Sequence, residues 1–96
     1  MITARVTEEL ITAEALAASV KSDTAGAVVT FSGDVRNHDK GKSVTTLNYE
    51  VHPSAQSVIE KIVNEIVSKH DVVNVAVAHR YGAIAIGESA FVVAVA

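Results

Sequence analysis

Ala55, Val58, Ile59, Ile62, Val63, Ile66 and Val67 recur three and four residues apart, and this stripe constrains the fold more than any other feature of the chain. It predicts an amphipathic helix entered at Pro53 and ending near His70-Asp71, with Glu60, Lys61, Asn64, Glu65, Ser68 and Lys69 on the outer face. Such an apolar face must lie on a second layer, and the remaining sequence offers strands to build one. Gly26 to Val35 reads as a buried strand that turns polar at its end, and Val44 to Val51 alternates imperfectly, as a half-buried strand would. These two are expected to pair as a long-looped hairpin. Val72 to His79, a short piece Ala83 to Ile86, and Ser89 to Ala96 follow, separated by turns at Tyr81-Gly82 and Gly87-Glu88. At the start, Ile2, Val6, Leu10 and Ile11 among polar neighbours suggest an edge strand. Thr12 is the expected N-cap of a first helix, from about Ala13 to Lys21, that presents Leu16 and Val20 on one face and stops at Ser22-Asp23-Thr24. The order β-α-β-β-α-β-(β)-β implies one α+β domain over residues 1–96, two helices on a mixed or antiparallel sheet.

A chain of 96 residues buries only about two thirds of the surface its unfolded form exposes, so the core is small. With 49% hydrophobic but only 4% aromatic residues, it must be built from valine, alanine and isoleucine. A formal charge of -3 argues against nucleic acid as a partner, because phosphate-backbone affinity needs many clustered cations. The absence of cysteine excludes disulfides, thiolate metal sites and a persulfide carried on this chain. The longest apolar run, Ala90 to Ala96, is far shorter than the ~20 residues of a membrane helix. A cytoplasmic protein with no membrane partner is expected. The chain stops on Val92-Val93-Ala94-Val95-Ala96, inside an expected strand, which suggests either a truncated product or a strand completed by a partner.

The chemistry concentrates in FSGDVRNHDKG, Phe31 to Gly41, where an apolar strand delivers Arg36 into a polar loop. An arginine fork grips phosphate or carboxylate in bidentate fashion; the alternative is a solvated loop arginine. Asp34 either orients Arg36 or begins the turn, and the turn is the reading favoured. His38, Lys40 and Lys42 add donors to a loop whose composition also suits plain exposure. His79-Arg80 places a second cationic pair at a strand end, although an arginine there commonly pairs with a carboxylate such as Glu88. Glu50, beside His52-Pro53, reads as capping or solvated. The four histidines lack the spacing of a zinc site, and no GxxxxGK[ST], GxGxxG or GxSxG pattern occurs, so no metal or cofactor is expected. Residues alone therefore indicate an anion-binding α+β domain.

Three segments, GAVVTFSGDVRNHDKG, then VTTLNYEVHPSA opening a helix, then VAHRYGAIAIGE before an apolar strand, together resemble the large, catalytic subunit of molybdopterin synthase. The resemblance spans about Thr24 to Ala96, with xGxVRxxxxG as its most specific part. It implies a fold with an α/β-hammerhead portion and a sulfur-transfer step in molybdenum cofactor assembly. Cyclic pyranopterin monophosphate would become molybdopterin, its sulfurs coming from a thiocarboxylated C-terminal glycine on a small ubiquitin-like partner subunit. It further implies a homodimer of large subunits with a small subunit at each end. Arg36 matches the substrate-binding arginine, with Asp34 and Val35 as adjoining wall positions. His38, His79 and Arg80 are secondary candidates. Asp34 stands where some relatives carry a basic residue. The family's second His-Arg pair and its lysine-bearing Pro-x-Trp-Lys segment have no counterpart up to Ala96, and Lys40 and Lys42 lie in the wrong loop to replace them. The catalytic residues are thus unassigned, and the 96-residue chain is expected to be incomplete as a catalyst. The competing reading is a non-catalytic interaction or anion-binding module.

Overall fold

The structure, a computed structural model, describes residues 1–36 and 48–96, and between them only the strand pairing of 38–39, 42–43 and 46–47. Ten elements follow in order: β1 (Ile2–Thr7), α1 (Ala13–Val20), β2 (Val29–Asp34), β3 (His38–Asp39), β4 (Lys42–Ser43), β5 (Thr46–Tyr49), α2 (Ala55–Val67), β6 (Val75–Arg80), β7 (Gly82–Ala85) and β8 (Ser89–Val95). The α+β class and the two helices are as expected from the sequence.

The main sheet has the order β1-β6-β8-β2, with β1 parallel to β6 and the other neighbours antiparallel. The expected hairpin between β2 and β5 does not form. β2 pairs with β8, from Val29 opposite Val95 to Asp34 opposite Ser89, while β5 pairs with β7, from Thr46 opposite Ala85 to Tyr49 opposite Gly82. The reason lies in β8. Its residues alternate between two apolar faces, which suits a strand buried between two neighbours, and β2 is the strand that completes it. Gly82 is the first residue of β7 and has φ +86°, a left-handed conformation that an L side chain adopts only with strain.

The two sheet faces are covered unequally. On one, Ala76, Ala78, Val92 and Ala94 meet Leu16 and Val20 from α1, and Ile11 just before it, in a sealed cluster. Small residues on the sheet let α1 sit close. The Thr12 Oγ1 accepts the Ala15 N–H at 3.1 Å, as expected of the N-cap. At the other end of α1 the Asn74 side-chain amide donates to the Val20 carbonyl at 2.8 Å. On the opposite face, Val63 of α2 packs with Val75 and Val77, and Ile59, Val67, Phe91, Val93 and Val95 gather around them. α2 lies over the β1 edge, where the Gln56 amide accepts from the Val6 N–H at 2.7 Å and donates to the Ala4 carbonyl at 2.8 Å, satisfying an otherwise open strand. That placement leaves the rest of its stripe uncovered. Val58, Ile62 and Ile66 are each about half exposed.

Candidate functional site

The end of β2 is fixed by backbone. The register with β8 shifts between Gly33 and Asp34, a bulge that re-aims the last residues of the strand. Beyond it, the Val35 N–H donates to the Glu88 carbonyl at 3.0 Å, and the Gly87 N–H donates to the Val35 carbonyl at 2.8 Å. The Val35 side chain is 3% exposed against Ile84 and Ala90. Asp34 accepts from the Ser89 hydroxyl at 2.6 Å, so its carboxylate joins β2 to β8 in addition to leading into the loop. Arg36 is the first residue past these bonds, and it is exposed. Neither of the two ion pairs among the described residues, Arg5 with Glu9 and Arg80 with Glu88, uses it. The side chain of His38, like those of Lys40 and Lys42, lies outside the described residues.

Arg80 differs from Arg36 in every respect that matters for ligand binding. Its side chain is 12% exposed, its Nη1 donates to Glu88 Oε1 at 3.0 Å, and its Nε donates to the Glu8 carbonyl at 3.1 Å. Glu88 Oε1 also accepts the Ala85 N–H at 3.0 Å. That backbone donor, followed by the Arg80 guanidinium, holds the Glu88 carboxyl below its ordinary pKa. The expected Arg80–Glu88 pair is therefore present, and it occupies Arg80 internally. His79 Nδ1 lies 3.0 Å from the Arg80 carbonyl, which can only accept, so this contact requires the proton on Nδ1 and leaves Nε2 as the free ring nitrogen. Its ring meets Tyr49 edge-on at 6.4 Å and Phe91 at 5.7 Å.

The large concavity is elsewhere. A groove of about 610 Å³ runs between α2 and the sheet, walled by Ile62, Ile66, Phe91, Val93 and Val95, with His79 at one end. Arg36 does not line it. Its walls are overwhelmingly apolar, so it offers no fit for a phosphate. Among the described residues, no three His, Asp or Glu side chains gather in a way that could hold a metal ion, and no helix is long and apolar enough to cross a membrane. The Arg80–Glu88 pair was legible in the sequence, whereas the Ser89–Asp34 bond and the Val35 bonds to the Gly87-Glu88 turn were not. The Gly-Glu-Ser signal was visible; its partner across the sheet was not.

A family model described as MoaE protein matches residues 6–96. The chain is 36% identical over 90 residues to molybdopterin synthase catalytic subunit 1 of Mycobacterium tuberculosis, covering 93% of this chain and 61% of that protein. It is likewise 36% identical over 91 residues to the molybdopterin synthase catalytic subunit of Thermoplasma volcanium, covering 94% and 66%. Among solved structures, a MoaE protein from Burkholderia ambifaria superposes with a TM-score of 0.82 at 27% identity, covering 100% of this chain and 65% of that one. Molybdopterin synthase from Staphylococcus aureus gives 0.81 at 32% identity, covering 94% and 66%. The chain thus spans about two thirds or less of the length of these relatives.

Proposed function

Because the chain belongs to the MoaE family, the catalytic subunits of molybdopterin synthase, we propose that it serves molybdenum cofactor biosynthesis by holding a pterin phosphate while sulfur is transferred to it. The substrate is cyclic pyranopterin monophosphate, and the sulfur arrives as the thiocarboxylate at the C-terminus of a small ubiquitin-like partner subunit. A chain with no cysteine carries no persulfide of its own, which is compatible with a donor of this kind. The carrying observation is Arg36, exposed at the end of a strand whose last residues are fixed by three named bonds through Asp34, Val35 and the Gly87-Glu88-Ser89 segment. Its guanidinium grips the phosphate in bidentate fashion, and Asp34 and Val35 form the adjoining wall. Preorganised positive charge there also favours anionic intermediates. The two large subunits of a homodimer, in the cytoplasm, would each carry such a site. In this reading these 96 residues supply substrate binding.

The test is titration of the chain with cyclic pyranopterin monophosphate, alongside Arg36→Ala. Loss of one shielded charge-assisted contact, roughly 1.5–3 kcal/mol, weakens the affinity by about one to two decades. Equal affinity of the two proteins would refute the assignment.

The half-exposed Val58, Ile62 and Ile66 above the apolar groove favour a second reading, a non-catalytic interaction module. Under it, the chain associates at high concentration and Arg36→Ala leaves that association unchanged. Sedimentation showing a monomer at all concentrations would count against it.

A further inference from the structure

We infer that Glu88 is a positioning residue for Arg36, acting through the turn that carries it. This deepens the proposed phosphate-binding reading and rests on it for its functional meaning, though the mechanical claim can be tested without any ligand. The path is short and explicit. The Glu88 carboxylate is tied to the Arg80 guanidinium at 3.0 Å and to the Ala85 N–H at 3.0 Å. Arg80 is in turn tied to the Glu8 carbonyl at 3.1 Å, just past β1. The Glu88 N–H donates to the Ala85 carbonyl at 3.1 Å, closing the turn around Gly87, whose φ of +86° lets the chain reverse. The outer side of that turn then holds Val35 from both directions, by the Val35 N–H on the Glu88 carbonyl and the Gly87 N–H on the Val35 carbonyl. One peptide unit later the chain presents Arg36.

The alternative anchors for Val35 are weaker in kind. Its side chain fits between Ile84 and Ala90, a contact without direction, and the Ser89 hydroxyl holds Asp34 at an exposed position. Directional restraint on Val35 comes from the turn, and the turn is held directionally by the Glu88 carboxylate together with its own backbone bond to the Ala85 carbonyl. Removing the carboxylate leaves the Ala85 N–H and a largely buried Arg80 Nη1 without this acceptor. The turn then has several arrangements where it had one. If Arg36 keeps its binding position only a tenth of the time, apparent phosphate affinity falls about tenfold with no change in the guanidinium itself.

The absence of native cysteine makes the test direct. A nitroxide on Arg36→Cys reports the mobility of position 36, and a second on Ser57→Cys, exposed on α2, serves as the distant control. Each label is placed in the otherwise unaltered chain and in the Glu88→Ala and Glu88→Gln backgrounds. The expected result is a clearly more mobile spectrum at position 36 with Glu88→Ala and an unchanged one at position 57. Glu88→Gln, whose amide oxygen can still accept from Ala85 and Arg80, should stay close to the parent. An unchanged spectrum at 36 with Glu88→Ala would overturn the inference. So would equal mobilisation at 36 and 57, which would mean that Glu88 merely stabilises the whole fold. Should Glu88→Ala not fold, Glu88→Asp, which withdraws the carboxylate by one methylene from Arg80 and the Ala85 N–H, takes its place: mobilisation at 36 exceeding that at 57 supports the carboxylate path, and an unchanged spectrum at 36 overturns it. In unlabelled protein, cyclic pyranopterin monophosphate should bind about tenfold more weakly to Glu88→Ala. If the labels respond as expected but Arg36→Ala binds the pterin normally, the positioning stands and the proposed function falls.

Discussion

Val92 and Val93 are neighbours on the central strand β8, yet they face opposite sides of the sheet, and truncating each to alanine measures how differently the two sides are covered. Val92 is 0% exposed beneath α1, surrounded by Ala76, Ala78, Leu16 and their neighbours. Val93 is only partly buried and forms a wall of the groove. The transfer cost of removing two methyl-sized groups at Val92 is about 1.6 kcal/mol. A sealed void of roughly 45 Å³ adds about 1 kcal/mol, giving about 2.5 kcal/mol in total. At Val93 the void opens into the groove, so the cavity cost vanishes and about half the transfer cost remains, roughly 0.8 kcal/mol. Both positions pair with strands on either side, opposite Ala78 and Ser32 in one case and Val77 and Phe31 in the other, so the loss of strand propensity cancels in the difference. Urea unfolding of the three proteins, analysed with a shared slope, reads that difference directly. Equal losses, within about 0.5 kcal/mol, would refute the reasoning. They would show the groove closed in solution, and a rise of the Val93→Ala cost with protein concentration would identify a second molecule as the cover.

Other expectations are local. The Glu88 carboxyl has a folded pKa below its ordinary value of 4.5; its bonds therefore stabilise the fold fully above the unfolded pKa, and that contribution is lost as pH falls through the folded value. Acid unfolding followed by circular dichroism should be less steep for Glu88→Gln in this range, and a pH profile identical to the parent's would contradict it. Thr12→Ala removes the Oγ1 acceptor of the Ala15 N–H and should cost about 1 kcal/mol in urea, with Thr12→Ser nearly neutral. Gly82→Ala forces an L side chain to φ +86°, with its Cβ in ordinary contact with Glu8 Cγ at 3.7 Å, so the cost of about 1–2 kcal/mol comes from backbone strain. A neutral result in thermal unfolding would mean that β7 starts differently.

Local structure was legible wherever the signal was local. The helical stripe of α2, the Thr12 cap and the positions of the late strands could be read from neighbours three or four residues apart. Pairing could not. β2 and β5 are sequence neighbours among the longer strands, which favoured a hairpin, whereas β2's partner β8 begins 60 residues after β2 begins. What decides the contest is that β8 carries apolar residues on both faces and so needs two neighbours. Likewise the stripe of α2 told that the helix is amphipathic, but not that Gln56 would dock it over the β1 edge and leave Val58, Ile62 and Ile66 at the lip of a groove.

The same limit governs the site. From the sequence, Arg36 and Arg80 are two arginines at strand ends, Arg36 the main candidate to bind an anion and Arg80 a secondary one expected to pair with a carboxylate such as Glu88. The fold separates them through β7. After Arg80 the chain leaves the main sheet to pair with β5, then reverses at Gly87, and this detour returns Glu88 to within 3.0 Å of the arginine it left eight residues earlier. One guanidinium is thereby consumed as an internal anchor, while the backbone of the returning turn holds Val35 and leaves Arg36 exposed. The arginine that is spent and the arginine that is presented are thus two ends of one bonded path. A substitution that freed Arg80 would therefore act at a distance, by loosening the turn that holds Val35 just before Arg36.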